Sequence, residues 1–431
     1  MSIFLGELKK LWNWRTVAII IAVGVLVFFA FLYQVIKNYN GFTGPYGPHQ
    51  EEMFDRYGDT LEPEELADFD IPGRIANLEK QASAIIAGDP IFAQYGVRTV
   101  SDLHELIVFD DSRSAAEQEQ FLKDYDHMMY KLYDDTVAIA NVSGSDVLVR
   151  TQRPSGAYIG VGYHLEYLNA LKNRYAPGAD SVVHRFQITD YDGSSVVRRH
   201  ARQLFESRDT NPHSMNLIRI DTTRYFAVYA CTVAVFALIV VFVLIAPLVT
   251  ADRTRRLHYL QYASAIGRKI FKIQFLAVTF SSLAITVALI ALSYAAFFMF
   301  TTAEKFLGAS IADFDGWTFY MYDITFGQYV LALAGMTAAL CVGASCLAFA
   351  LSRFSANIVT MLIKSVPAAL ALVLLAIFAI NYSFSDQNSI FIRVFRREAE
   401  LPEVVVCAAL ALIAVLIAVV VVRREKRVDV A

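Results

Sequence analysis

Six long apolar stretches dominate this chain of 431 residues and leave few folds open to it. Lipid cannot satisfy an exposed backbone N–H or C=O, so a segment crossing the roughly 30 Å hydrocarbon core does so as a helix of about 20 apolar residues. Stretches of that kind run over 17–36, 225–249, 273–300, 326–351, 358–380 and 404–422. Composition agrees: 56% of residues are hydrophobic and 18% charged, whereas a water-soluble domain carries about a quarter charged residues. The fold class read from this pattern is an all-α polytopic membrane protein, with six transmembrane helices and a mainly helical extracellular domain. Lys9, Lys10 and Arg15 precede the first stretch as they would in a secretory leader. Its apolar run is too long for one, and the exit Leu32-Tyr33-Gln34-Val35-Ile36-Lys37 has no small-x-small cleavage site, so an uncleaved anchor is expected.

Six crossings put both termini on one side, and the excess of Lys and Arg in short loops says which. Arg253, Arg255, Arg256, Arg268, Lys269 and Lys272 stand against Asp252 alone in the loop after the second stretch, and Arg423, Arg424, Lys426 and Arg427 fill the C-terminal tail. Arg353 is the charge of the short fourth loop. These faces are expected to be cytoplasmic. Between residues 38 and 223 there are 29 acidic and 17 basic residues, a net of −12, while the remainder carries 12 and 21, a net of +9. The near-neutral total hides two oppositely charged parts. The expected organisation is an interfacial helix in 1–16, a first span in 17–36, an extracellular domain over 37–223, a five-helix membrane domain over 224–422 and a basic tail over 423–431.

The extracellular segment reads as helical at 61–65, 72–86, 114–139 and 159–175, with 181–189 either a strand or a linker. All four cysteines, Cys231, Cys341, Cys346 and Cys407, lie in apolar stretches, so this segment has no disulfide, which suits a bacterial protein. Its chemistry is sparse. His104-Glu105 begins like a zinc-protease pair, but Val108 stands where the second His would be. The remaining histidines, among them His49, His127 and His164, have no metal-ligand spacing and read as ordinary surface or core residues.

The loop over 251–269 is the most informative stretch. Residues 252–263 form one short amphipathic helix in this reading, with Leu257, Leu260 and Ala263 on one face and Arg253 and Arg256 toward another; Gly267 then allows a turn, and Arg268 and Lys269 reach the interface. At the N-terminus, Phe4, Leu8, Leu11 and Trp12 lie on one helical face with Glu7, Lys10 and Asn13 opposite, the pattern of a helix lying flat on the inner leaflet. The order of Pro247, Asp252-Arg253, the Leu and Tyr helix, Ser264, Gly267-Arg268 and a basic-flanked span resembles the cytoplasmic loop of type 2 ABC-transporter permeases. The resemblance implies a coupling helix that docks on a separate ATPase subunit. It implies that Arg253, Arg255, Arg256, Tyr259 and Leu260 transmit the motion of that subunit, that Asp252 caps the helix, and that Gly267 and Arg268 set the return into the membrane. It also implies a second permease copy or a related permease, and an exporter in a bacterial inner membrane. No nucleic-acid partner is expected.

No Gly-x-x-x-x-Gly-Lys-Ser/Thr phosphate loop occurs, so ATP and Mg²⁺ are expected on the partner and no cofactor or enzymatic activity in this chain. Two alternatives stay open. An ion-driven transporter commonly keeps ionisable groups in its spans; the six stretches contain no Asp, Glu or His, and Lys364 is the charge of the fifth. A sensor or scaffold with an external ligand-binding domain needs a partner to signal through. Ser281, Ser282, Thr286, Ser293, Thr337, Gly343 and Ser345 either line a path or allow close packing, and Tyr294, Phe297, Phe298 and Phe300 mark either the outer interface or an exit.

Overall fold

The computed structural model describes residues 2–41, 46–58, 60–61, 63–134, 136–142, 145–151, 160–174, 215–216, 220–254, 265–311, 322, 324–355, 358–384, 389–395 and 401–425. Among them, six helices are long and apolar enough to cross a membrane: Trp14–Asn40, Thr222–Ile245, Ile270–Phe300, Phe326–Arg353, Val359–Ile380 and Pro402–Glu425, spans one to six. This is the architecture of a multi-pass membrane protein. The chain divides into two compact units, a helical bundle from residues 1–36 and 220–431 and a domain built mainly from residues 37–190.

Local chemistry sets the ends of the spans. Asn13 caps span one, its side chain accepting from the Arg15 N–H at 3.2 Å. Thr325 and Gln328 form a reciprocal capping box at span four, and Pro402 occupies the first turn of span six, where its missing N–H costs nothing. Lys364 donates from Nζ to the Phe354 carbonyl at 2.7 Å, at the open C-terminal end of span four.

Span four is the hub, packing against spans two, three, five and six. A Cβ added at Gly343 would stand 3.3 Å from the Leu410 side chain and 3.4 Å from the Ala411 Cα, so the small residue lets spans four and six approach backbone to backbone. In the most apolar window of span one 11% of residues are buried, against 67% in span two, so span one lies at the rim with Leu26 and Phe29 exposed.

The second unit is mainly helical, with helices Ile71–Ala87, Ala115–Tyr133 and Val161–Arg174 around a core that includes Phe69, Ile75, Phe92, Phe121, Met128 and Leu168. Gly160 is dictated by this packing: a Cβ there would fall 2.3 Å from the Tyr133 backbone. The helix expected over 114–139 is shorter. Ser114 and Glu117 cap its start, Asp134 ends it in the left-handed region at φ 59°, and Thr136–Val142 leaves as a strand paired antiparallel with Ser145–Thr151. The β-branched Thr136, Val137 and Ile139 fit a pleated surface better than a helix, so the expected helix over 114–139 gives way to this hairpin after Tyr133. The expected helices at 61–65, 72–86 and 159–175 correspond to Pro63–Asp68, Ile71–Ala87 and Val161–Arg174. The 181–189 segment lies outside the described residues.

Candidate functional site

The N-terminal helix, Ser2–Leu11, packs against span three along Phe4, Glu7, Leu8 and Leu11, positions spaced as one helical stripe. Phe4 meets Phe280 edge-on at 6.3 Å between ring centroids, and Trp12 donates from Nε1 to Ser281 Oγ at 3.0 Å. Glu7 was expected on the polar side; it is instead buried in the middle of the packed stripe. The reason is a chain of partners. Lys10 Nζ donates to Glu7 Oε1 at 2.6 Å, Gln274 Nε2 donates to Glu7 Oε2 at 3.2 Å, and Arg353 donates to Gln274 Oε1. The Gln274 amide thus joins an anion to a cation, donating with one end and accepting with the other. The Arg353 guanidinium also lies over the rings of Phe271 and Phe349, at 4.7 and 5.2 Å. Arg353 was expected in the short fourth loop; it is instead the last residue of the span-four helix and is 4% exposed. The series ties the N-terminal helix to span three and to the end of span four.

The helix carrying span two runs unbroken over Ile220–Thr254, and the helix carrying span three over Ala265–Phe300. Each has more than 50 Å of helical rise, well beyond the roughly 30 Å that the hydrocarbon core requires. Asp252 and Arg253 therefore belong to the last turn of the first long helix, so Asp252 is helical rather than a cap, and the rest of the helix expected over 252–263 lies outside the described residues. Gly267 and Arg268 lie in the first turn of the second, which corrects the expected turn at Gly267. Arg255, Arg256, Tyr259 and Leu260 lie outside the described residues.

Ser281, Ser282, Thr286, Thr337 and Ser345 are all buried at 1% exposure or less, inside the bundle. Ser282 bonds the Cys341 carbonyl at 3.3 Å and Thr337 the Leu333 carbonyl at 2.9 Å, which fits packing rather than an open path. Tyr294 and Phe297 are buried too, their rings 4.9 and 5.2 Å from Phe226, while Phe300 is exposed. At the other end of the bundle the helix of span six begins two residues earlier than the apolar stretch and so includes Glu403, which is fully buried.

In the second unit the fold gathers histidines that sequence spacing separates. His164 Nδ1 lies 3.0 Å from His49 Nε2, and His49 stacks on Tyr167 at 5.7 Å. Burial, with His164 and Arg74 nearby, pushes the pKa of His49 down to about 4, and burial lowers that of His164. Tyr133 bridges His104 and Glu166, donating to Glu166 Oε1 at 2.8 Å. Among the described residues no group of three or more His, Cys, Asp or Glu is arranged to hold a metal ion. Comparison with known proteins adds no relative: no protein-family model matches the sequence, and neither the curated proteins nor the solved structures include a match.

Proposed function

We propose that the chain is the permease subunit of an ATP-driven exporter of the ABC type, forming the translocation path and working with a separate ATPase. Its termini and the coupling segment over 251–269 face the cytoplasm of a bacterium, and the domain over 37–223 faces outward. A second permease, identical or related, completes the path. One observation carries the reading. The helices of spans two and three run without a break to Thr254 and from Ala265, on either side of residues 255–264, and span three is bonded through Glu7, Gln274 and Arg353 to the N-terminal helix and span four. A displacement imposed by a partner at Thr254 or Ala265 then reaches spans two and three and, through span three, the N-terminal helix and span four. Arg253, Arg255, Arg256, Tyr259 and Leu260 are the groups that meet the ATPase.

The test is double charge reversal, Arg253→Glu with Arg256→Glu, which leaves membrane insertion intact and lowers the ATPase retained on the purified chain about 10-fold or more, the scale of losing interface hot spots. Full retention with unchanged hydrolysis would contradict the assignment. An ion-driven transporter is the second reading, favoured by buried Glu403 inside span six, where the apolar stretch had offered no carboxyl.

A further inference from the structure

His104, on the short helix Val100–Glu105, begins the zinc-protease pair that the sequence leaves unfinished at Val108. The fold gives it other company. Tyr133, the last residue of Ala115–Tyr133, and Glu166, in Val161–Arg174, meet it from two further helices. His104 Nε2 touches the Tyr133 hydroxyl and lies 3.0 Å from Glu166 Oε1, and the same hydroxyl lies 2.8 Å from that oxygen. An imidazole nitrogen, a phenol and a carboxylate oxygen thus form a triangle with no side longer than 3.0 Å. Tyr133 has no exposed surface, and a Cβ added at Gly162 would fall 2.5 Å from its Cζ, so the ring lies directly on the backbone of the third helix. The His104 and Glu166 side chains are 39% and 43% exposed, which leaves the triangle within reach of water.

A phenol hydroxyl carries one proton and an imidazole Nε2 at most one, so two protons serve three close contacts and one contact shares a hydrogen at best. A cation set over the triangle satisfies all three atoms at once. The spacing suits an octahedral ion, whose bonds of about 2.1 Å at right angles hold neighbouring ligand atoms about 3 Å apart. Imidazole suits iron, copper, nickel and zinc, whereas oxygen ligands suit harder ions. A phenol ligates well only after losing its proton, which a highly charged ion favours most. Fe³⁺ meets both demands. We propose that His104 Nε2, Tyr133 Oη and Glu166 Oε1 form one face of an Fe³⁺ site, with water in the remaining positions. On binding, three metal–ligand bonds replace three bonds from the ion to water, and the Tyr133 proton passes to solvent. The phenol sets this site apart from groups of three His, Cys, Asp or Glu, none of which occurs among the described residues. It lies wholly within the second unit and does not depend on how transport is driven.

The experiment adds ferric citrate to the full chain, purified in detergent and stripped with a chelator, and follows visible absorption and bound iron after desalting. The expected result is about one Fe³⁺ per chain with a phenolate-to-iron charge-transfer band, and a higher melting temperature than that of the stripped chain. Tyr133→Phe, which keeps the ring, abolishes the band, and His104→Asn and Glu166→Gln each weaken iron binding about 10-fold or more. No retained iron, iron retained without the band, or a band that survives Tyr133→Phe would overturn the proposal. Should Tyr133→Phe fail to fold, the two half-exposed positions decide: unchanged iron binding in either His104→Asn or Glu166→Gln overturns the proposal, and loss in both upholds it.

Discussion

In the bundle, Glu7, Gln274 and Arg353 are 5%, 1% and 4% exposed and bonded in series, whereas in the domain between spans one and two the ion pair Lys123–Glu119 leaves its side chains 66% and 71% exposed. The second pair is screened by water, and such pairs contribute about 0–1 kcal/mol. The first has no water to fall back on, so each member depends on the next. The domain has a buried polar pair of its own, and burial lowers the pKa of both His49 and His164. A buried polar group is thus a structural commitment in either region, whereas an exposed pair such as Lys123–Glu119 is mostly a solubility feature.

That comparison breaks most visibly at Arg353. Arg353→Leu removes the cation at one end of the series and leaves Gln274 and Glu7 buried without it, at an expected cost of about 3–5 kcal/mol; denaturant unfolding in detergent reads this. A loss below about 1 kcal/mol would mean that the series is as dispensable as a surface pair. The next effect is pH-dependent. His49 stays neutral in the fold down to about pH 4, while a free imidazole binds its proton near 6.5, so the unfolded chain binds more protons in that window and stability falls as pH falls through it. The expected loss is roughly 3 kcal/mol at most. Amide exchange of Tyr46–Tyr57 and Val161–Arg174 follows it, and His49→Phe, which keeps an aromatic ring against Tyr167, flattens it. At Gly343, Leu in place of Gly overpacks the crossing of spans four and six and costs about 1–3 kcal/mol by the same unfolding assay. Lys123→Ala is the control at the small end, expected to change stability by less than about 0.5 kcal/mol.

The spans were legible because a 3.6-residue helix in lipid demands a long uninterrupted apolar run, and the chain supplies six. Their ends were less so. Glu403 and Glu425 fall inside the helix of span six because a charged residue stops a hydropathy pattern but not a backbone hydrogen-bond ladder. The hairpin after Tyr133 was missed for a related reason: Ala115–Tyr133 has helical periodicity that drifts without interruption into Val137 and Ile139, and what ends it is the left-handed backbone at Asp134. Glu7 could have been noticed in sequence, since it lies within the stripe of Phe4, Leu8 and Leu11. Gln274 and Arg353 gave no such signal, because their partners stand 267 and 79 residues away in the chain. The same holds for His49 and His164, brought together across 115 residues.

The most direct test of the coupling role is purification of the tagged full chain from its native membrane in mild detergent, with co-purifying proteins identified and ATP hydrolysis assayed. The account predicts a stoichiometric soluble partner carrying a phosphate-loop motif, with ATPase activity, retained by wild type and lost when residues 253–260 are scrambled. A chain that purifies alone and without ATPase activity, under conditions that keep known permease–ATPase complexes together, would contradict it.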